Sequence, residues 1–567
     1  MAGISRRGFL AAAGLTGTAI GSGLLGGAAW ARSARFDAAG TTLEAAARPA
    51  AGDGYRRLTA GAGWPQVVRT ELARAAAGRA DRRRSLAAFT QFTDLHLTDA
   101  QSPARFEYLH PLAGGAFRPQ EALGGLAAAH LVRRVNALRR APVTGRPMDF
   151  AITTGDSTDN HELAELDWYF SVLNGGRFTQ NTGDPSAYEG VQNSGDPLYW
   201  HPEGGVADDF RGRGFPVLDG FFADALRPVD SPGLQIPWYA VFGNHDNSVM
   251  GTIADEAIPR LADWYTGDRK IMGRDERESR AVAEMLDGRR EVSPALLLGG
   301  NGIGRTVTPD ERRHPFTTEE FIRAHLDPDN TGPGPAGHGF DADDPAPHYT
   351  FGIAPGVTGI ALDSTNTAGF AEGSLGLRQY EWLKRVLTRG SSRYYDLVGR
   401  EQRRSVDDEL FVLFSHHTSG TMTALLPDFR DPGEPRVDGA AVVRLLNRFP
   451  NVLAWVNGHT HSNAITPHPA NDPACGFWEI NTASHVDFPQ LARVIEVADN
   501  RDGTLSLLTT LIEADSPYRA DYDDRSPEAL AALYRELSFN DPHTDLAQLG
   551  GYPDRNAELL VPGRLPG

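Results

Sequence analysis

The sequence predicts an α/β fold, and three observations predict it. A strand-like run, a helical stretch and a second strand-like run follow one another between residues 86 and 156, the order of a parallel α/β unit. Apolar runs of strand length then recur at "IPWYAVFGNHD", "HYTFGIAPGVTGIALDS", "LFVLFSHH" and "VLAWVNGHTH", separated by long polar or helical segments. Most of these runs end not at an ordinary turn but at a short cluster of imidazole, carboxylate and amide side chains.

Taken in order, the chain opens on "SRRGFLAAAGLTGTAIGSGLLGGAAWARSA", a basic start followed by residues 8–31 without a charge. Such a stretch reads as an export signal, and Ala29, Trp30 and Ala31 offer an A-x-A cleavage site. Arg6 and Arg7, paired before Gly8, Phe9 and Leu10, resemble the twin-arginine signal of the route that carries folded proteins. The expected partner is therefore the twin-arginine export machinery, and the expected location periplasmic, cell-surface or extracellular. The stretch is too rich in Gly, Ala and Thr to favour a retained anchor, so no stable membrane span is expected in the mature chain.

Residues 32–86, rich in Ala, Arg and Gly and ending in "DRRRS", read as an N-terminal extension with a solvated arginine cluster. The core is expected over 87–515. Its first strand is "LAAFTQFTDLH", its first helix covers 121–141 at helical spacing, and "PMDFAITTGD" is the second strand. Residues 181–205 and 327–348 are dense in Gly, Pro, Asp and Asn and read as loops, and about 247–348 as an insertion beside the core. Residues 516–567 read as a polar, surface-wrapping C-terminal tail with one helix at "SPEALAALYREL".

A formal net charge of -18 argues against a general binder of nucleic acid or anionic membrane, which it would repel. Cys475 is the only cysteine, so neither an internal disulfide nor a thiolate metal cluster can form. Five clusters carry the chemistry: "TDLH" with Asp94 and His96; "TGDSTDN" with Asp156, Asp159 and Asn160; "GNHD" with Asn244, His245 and Asp246; "SHH" with His416 and His417; and "GHTH" with His459 and His461. Any one alone is an ordinary turn. Together they stand at the carboxyl ends of five strands, where open α/β sheets bind ligands. Six of the 17 histidines fall inside four of them. Imidazole, carboxylate and amide oxygen without thiolate suit Mn, Fe, Zn or Co, and so many donors exceed what one tetrahedral ion takes. Two divalent ions are expected.

The ordered set D-x-H, G-D-x-x-D, G-N-H-D, an H-H cluster and G-H-x-H resembles the calcineurin-like metallophosphoesterases over roughly 87–515. The resemblance implies a four-layer α/β/β/α sandwich of two mixed sheets, with large insertions here. It implies that Asp94, His96, Asp156 and His461 hold one ion, that Asp156, Asn244, His416 and His459 hold the other, and that Asp156 bridges them. His245 would protonate the leaving oxygen with Asp246 orienting its ring, while a bridging hydroxide attacks phosphorus. Two dications against Asp94, Asp156 and hydroxide leave the site net positive, so a phosphate ester, small-molecule or lipid, is the expected substrate.

Some positions stay open at this stage, among them the choice of His416 over His417 as the ligand in "SHHT". Asp159 either orients a ligand or caps, with Asn160, the helix that follows. His485 in "TASHVDF" and Asn366 in "DSTNT" either line the pocket or serve their turns, and Cys475 is expected to be inert. A non-catalytic metal-binding scaffold of the same fold is the competing reading, although such a protein would be expected to lack some of these donors, and none is missing.

Overall fold

The computed structural model describes residues 37–299 and 302–563. The expected signal over 1–31 lies outside the described residues. Among those described, no helix is long and apolar enough to cross a membrane.

Two mixed sheets organise the molecule. The strands of the first are β1 (Val67–Arg69), β2 (Arg84–Phe92), β3 (Phe150–Thr154) and β4 (Trp238–Val241). The second contains β5 (Tyr349–Ala354), β6 (Val357–Ala361), β7 (Leu410–Phe414), β8 (Val452–Asn457), β9 (Ala464–Pro469) and β10 (Gly476–Asn481). The chain then returns to complete the first with β11 (Leu491–Asp499), β12 (Thr504–Glu513) and β13 (Ala557–Pro562). The order in the first sheet is β1-β13-β12-β11-β2-β3-β4, and in the second β5-β6-β7-β8-β10-β9.

Parallel pairing sits where the chemistry is. β2, β3 and β4 run parallel in register Phe89 to Phe150 and Ala151 to Trp238, and β6, β7, β8 and β10 run parallel in the second sheet. All five residues of β3, β7 and the six of β8 are buried, the near-continuous apolar runs of strands covered on both faces. The inner faces of the two sheets share one core: Phe89 of β2 meets Phe414 of β7 edge to face at 5.6 Å, and Trp478 of β10 donates its indole N–H to Leu560 O of β13 at 3.0 Å. Cutting Trp478 to Ala would cost about 3–5 kcal/mol, the range for emptying a large buried aromatic.

Helices α1 (Gly124–Leu138) and α2 (Leu163–Asn174) add Leu131, Val132, Trp168 and Tyr169 to the core cluster that holds the first sheet. Helices α3 (Leu377–Arg389) and α4 (Gly439–Leu446) pack Leu383, Leu387, Val442 and Leu445 with Phe411, Leu413 and Trp455 of the second. The helix expected over 121–141 is shorter because residues 121–123 form a 3₁₀ turn and Arg139 takes a positive φ of 51° that ends it.

Several expectations change. Residues expected as an N-terminal extension supply β1 and the start of β2, and the pair Ala45–Pro49 and Leu58–Ala62 forms a small antiparallel ribbon. The tail expected over 516–567 holds helix α5 (Pro527–Asn540), buried along most of its length, and β13, which lies inside the first sheet between β1 and β12. β13 is a short apolar run among polar neighbours, and its order comes from ladder pairing with β12 rather than from its own pattern. Residues 181–205 are loop as expected, apart from a 3₁₀ turn at Val191–Asn193, but the loop is packed rather than open: Tyr199 and Trp200 are fully buried in a cluster with Phe117, Phe210 and Tyr534 of α5. The segment 247–348 divides, its first part packing around Val249, Tyr265 and Met285 and its last placing Phe316, Phe321 and Phe340 in the main core.

Candidate metal centre

Each of the five clusters follows directly on a parallel strand. Asp94 and His96 follow β2, Asp156 follows β3, Asn244 follows β4, His416 follows β7, and His459 and His461 follow β8. The backbone there is strained. Asp94, His96, Asp156, His459 and His461 all have positive φ, between 44° and 71°. A non-glycine residue in that region costs about 1–3 kcal/mol, and it persists only where the surroundings over-determine it. Glycines make room for it: a Cβ on Gly458 would run into Thr93 Oγ1 and the Asp94 carboxylate, and one on Gly155 would meet the His416 ring.

Asp156 stands at the centre. Its Oδ2 lies 3.6 Å from His96 Nε2 on one side and 3.1 Å from His416 Nε2 on the other, while Oδ1 accepts the His245 main-chain N–H at 2.8 Å. On the first side, ligand atoms of Asp94, His96 and His461 all lie within 4.8 Å of one another, with His461 Nε2 at 3.3 Å from Asp94 Oδ1. On the second, Asn244 Oδ1 is 2.9 Å from His416 Nε2 and 3.1 Å from His459 Nδ1. The seven side chains expected to hold metal therefore form one continuous cluster.

The ring tautomers are fixed from behind. His96 Nδ1 meets Asp159 Oδ1 at 3.0 Å, His416 Nδ1 meets Thr154 O at 2.8 Å and His461 Nδ1 meets Asp487 Oδ2 at 2.6 Å. An imidazole that donates Nδ1–H to an oxygen presents a lone pair at Nε2, and all three Nε2 atoms face the carboxylates in the middle. His96 Nε2 is buried without a hydrogen-bond partner. Carboxylate, amide oxygen and imidazole nitrogens converging at these distances call for positive charge, as protons or as a cation. The donor set thus fits divalent metal.

The titration of the pocket tells the same story. Burial would lower His416 and His461, but Asp156 and Asp94 outweigh it and push the rings up to about 9 and about 10. Burial would raise Asp156, yet His416 and His245 hold it well below the usual carboxylate range. His459 is driven well down by burial, with His417 and His416 adding to it. Protons take up in His416 and His461 the positive charge that the acceptor cluster requires.

His245 stands beside this centre, its ring 4.4 Å from that of His96. Burial lowers it to about 4, and its Nδ1 lies at 2.5 Å from the main-chain oxygen of Asp159. The role expected for Asp246 therefore changes. Its carboxylate does not reach the His245 ring; it accepts N–H groups of Gly243, Ser157 and Thr158 and the Thr158 hydroxyl, tying the turn after β4 to the turn after β3. A carboxylate one residue after His245 points back into its own turn, and the carbonyl of Asp159 orients the ring instead.

The open positions resolve as follows. Asp159 orients His96, while Asn160 holds Ala104 O, the Met250 N–H and the Tyr265 hydroxyl, and α2 starts from Glu162. His417 lies close to His416 and His459, but its ring nitrogens are taken up by Ser364 Oγ at 2.9 Å and Ala371 O at 3.2 Å. Asn366 bonds Ser374, Ala424 and Leu426 and serves its turn. His485 is buried with its ring stacked on Tyr534, and its main-chain N–H donates to Thr93 O beside Asp94. Cys475 is buried and burial pushes its thiol up to about 12, which leaves it unreactive.

Asp487 and Arg118 are the residues that sequence reasoning missed. Asp487 reaches the centre because β10 runs parallel to β8 and the segment after it emerges at the same edge, a placement the sequence does not announce. Arg118 carries no motif.

No protein-family model matches the sequence, and no curated protein matches it. Among solved structures the chain is similar to a dimetal phosphatase from Danio rerio, at 12% identity over 76% of this chain and 100% of that one, with a TM-score of 0.32. It is also similar to a structure of PhoD, at 10% identity over 85% of this chain and 82% of that one, with a TM-score of 0.29. Likeness this loose leaves the reading of the centre to its own side chains.

Proposed function

We propose that this chain hydrolyses phosphate esters at a centre of two divalent metal ions, as a calcineurin-like metallophosphoesterase built on a four-layer α/β/β/α sandwich. The observation that carries the reading is the arrangement around Asp156: one carboxylate oxygen between two imidazole Nε2 atoms, each ring held from behind by an oxygen acceptor. Asp94, His96, Asp156 and His461 would hold one ion, and Asp156, Asn244, His416 and His459 the other, the metals being Mn, Fe, Zn or Co. Bound there, the ions would activate water and draw charge from the phosphoryl oxygens.

The protein's own residues do the rest. Buried Asp94 and Asp156 are the two carboxylates of the expected ligand set, so the loaded pocket favours an anion despite the net charge of -18. His245, with Nδ1 bound to the Asp159 carbonyl, presents Nε2 as the atom that carries a proton to the leaving oxygen. Because burial holds this ring at about 4, its proton arrives with the substrate, whose negative charge favours the imidazolium. Mono- and diesters would meet the same residues.

Assay of the purified chain on p-nitrophenyl phosphate and bis-p-nitrophenyl phosphate, with and without added Mn, tests the proposal. Metal-dependent turnover of either supports it; bound metal with no turnover on these or on natural esters favours a scaffold. Export is proposed from Arg6 and Arg7, and normal export of the Arg6→Lys, Arg7→Lys double variant would refute a twin-arginine route.

A further inference from the structure

Two carboxylates, buried Asp159 and half-buried Asp487, orient two of the imidazoles: Asp487 holds His461 Nδ1 at 2.6 Å, and Asp159 holds His96 Nδ1 at 3.0 Å. One side chain lies between those carboxylates. Arg118 donates Nε to Asp487 Oδ1 at 2.6 Å and Nη2 to Asp487 Oδ2 at 3.1 Å, and its Nη1 stands 3.7 Å from Asp159 Oδ1 while donating to Gly115 O at 3.1 Å. With the residue only 4% exposed, its guanidinium is turned to these partners and is not presented to substrate.

A circuit of hydrogen bonds and ion pairs holds Arg118 in place. Its main-chain N–H donates to Glu121 Oε2 at 3.1 Å, Glu121 is gripped by both terminal nitrogens of Arg105 at 2.9 and 3.0 Å, and Arg105 Nη2 lies 3.4 Å from Asp159 Oδ2. Gln120 also ties the segment to Val486 O, next to Asp487, at 3.0 Å. The far half of the centre is built without it: His416 leans on Thr154 O, and Asn244 donates to Gly251 O at 2.9 Å.

We propose that Arg118 is a positioning residue for one of the two metal positions, fixing His461 through Asp487 and His96 through Asp159 while leaving the position of Asn244, His416 and His459 to other supports. The inference rests on the two-metal reading above. A planar guanidinium suits the task because it grips one carboxylate in a fork and still reaches a second; an ammonium supplies the charge without the fork. Both imidazoles that it orients belong with Asp94. Loss of Arg118 should therefore empty one position selectively.

The test uses the full chain loaded with Mn, with metal stoichiometry from elemental analysis, affinity from chelator competition and folding from circular dichroism. For Arg118→Gln the expected result is one retained equivalent and an affinity at the other position about 10–100-fold weaker, the usual cost of losing an outer partner of a metal ligand. Arg118→Lys should lie between Gln and wild type, and turnover in both variants should recover with excess metal. Asp487→Asn should weaken the same position. Two tightly held equivalents in Arg118→Gln, or loss of both together, would overturn the inference. A wild-type chain that binds no metal would instead end the two-metal reading itself.

Discussion

Asp156 illustrates how much each residue of the centre depends on its neighbours. Its oxygen can stand between His96 and His416 only because Gly155 and Gly243 leave space that a Cβ would fill, one against the His416 ring and one against Asp156 itself. Gly458 does the same for Asp94. Gly458→Ala should therefore displace Asp94 and reduce metal at its position, with circular dichroism unchanged; full metal content in that variant would contradict the cradle. His245→Ala should keep its metal and lose about 100-fold or more in rate on esters with poor leaving groups, and less on good ones. An equal loss on both kinds would count against proton transfer by His245. At this scale the donors were legible, because Asp, His and Asn at strand ends have no packing reason to be there. Arg118 and Asp487 were not: their pairing joins positions far apart in the chain, and no spacing announces it.

At the scale of elements, the turns that present the donors are held by packing further back. β4 carries the turn with Asn244 and His245, and its Trp238 stacks on His338 at 3.5 Å while touching His325 of the helix Thr318–Leu326. Burial holds both histidines below their ordinary value, His325 well below it, so they are neutral in the fold. The unfolded chain binds their protons near pH 6.5 and the native chain does not, so their contribution is fully present above that pH and is lost as pH falls below it. Urea unfolding of wild type and His325→Phe from pH 7 to 5 checks this: the stability of the variant should fall less steeply, and parallel slopes would contradict it. The strands that precede the donors were readable as apolar runs, whereas β1, of three residues, and β13, of six, owe their order to ladder partners and left little pattern to read.

Across the whole molecule, in a chain of net charge -18, the two sheets meet so that β2, β3 and β4 of one and β7 and β8 of the other direct their ends to one cluster of donors. Order, spacing and donor type were legible from residue 94 to residue 461; the closure of the first sheet by the last strand was not, since it needs a partner seen only in three dimensions. Elemental analysis of the purified chain and of Asp156→Asn tests the shared carboxylate most directly. Two equivalents of divalent metal in wild type and less than one in the variant is the predicted result. No metal in wild type, or two full equivalents in the variant, would contradict it.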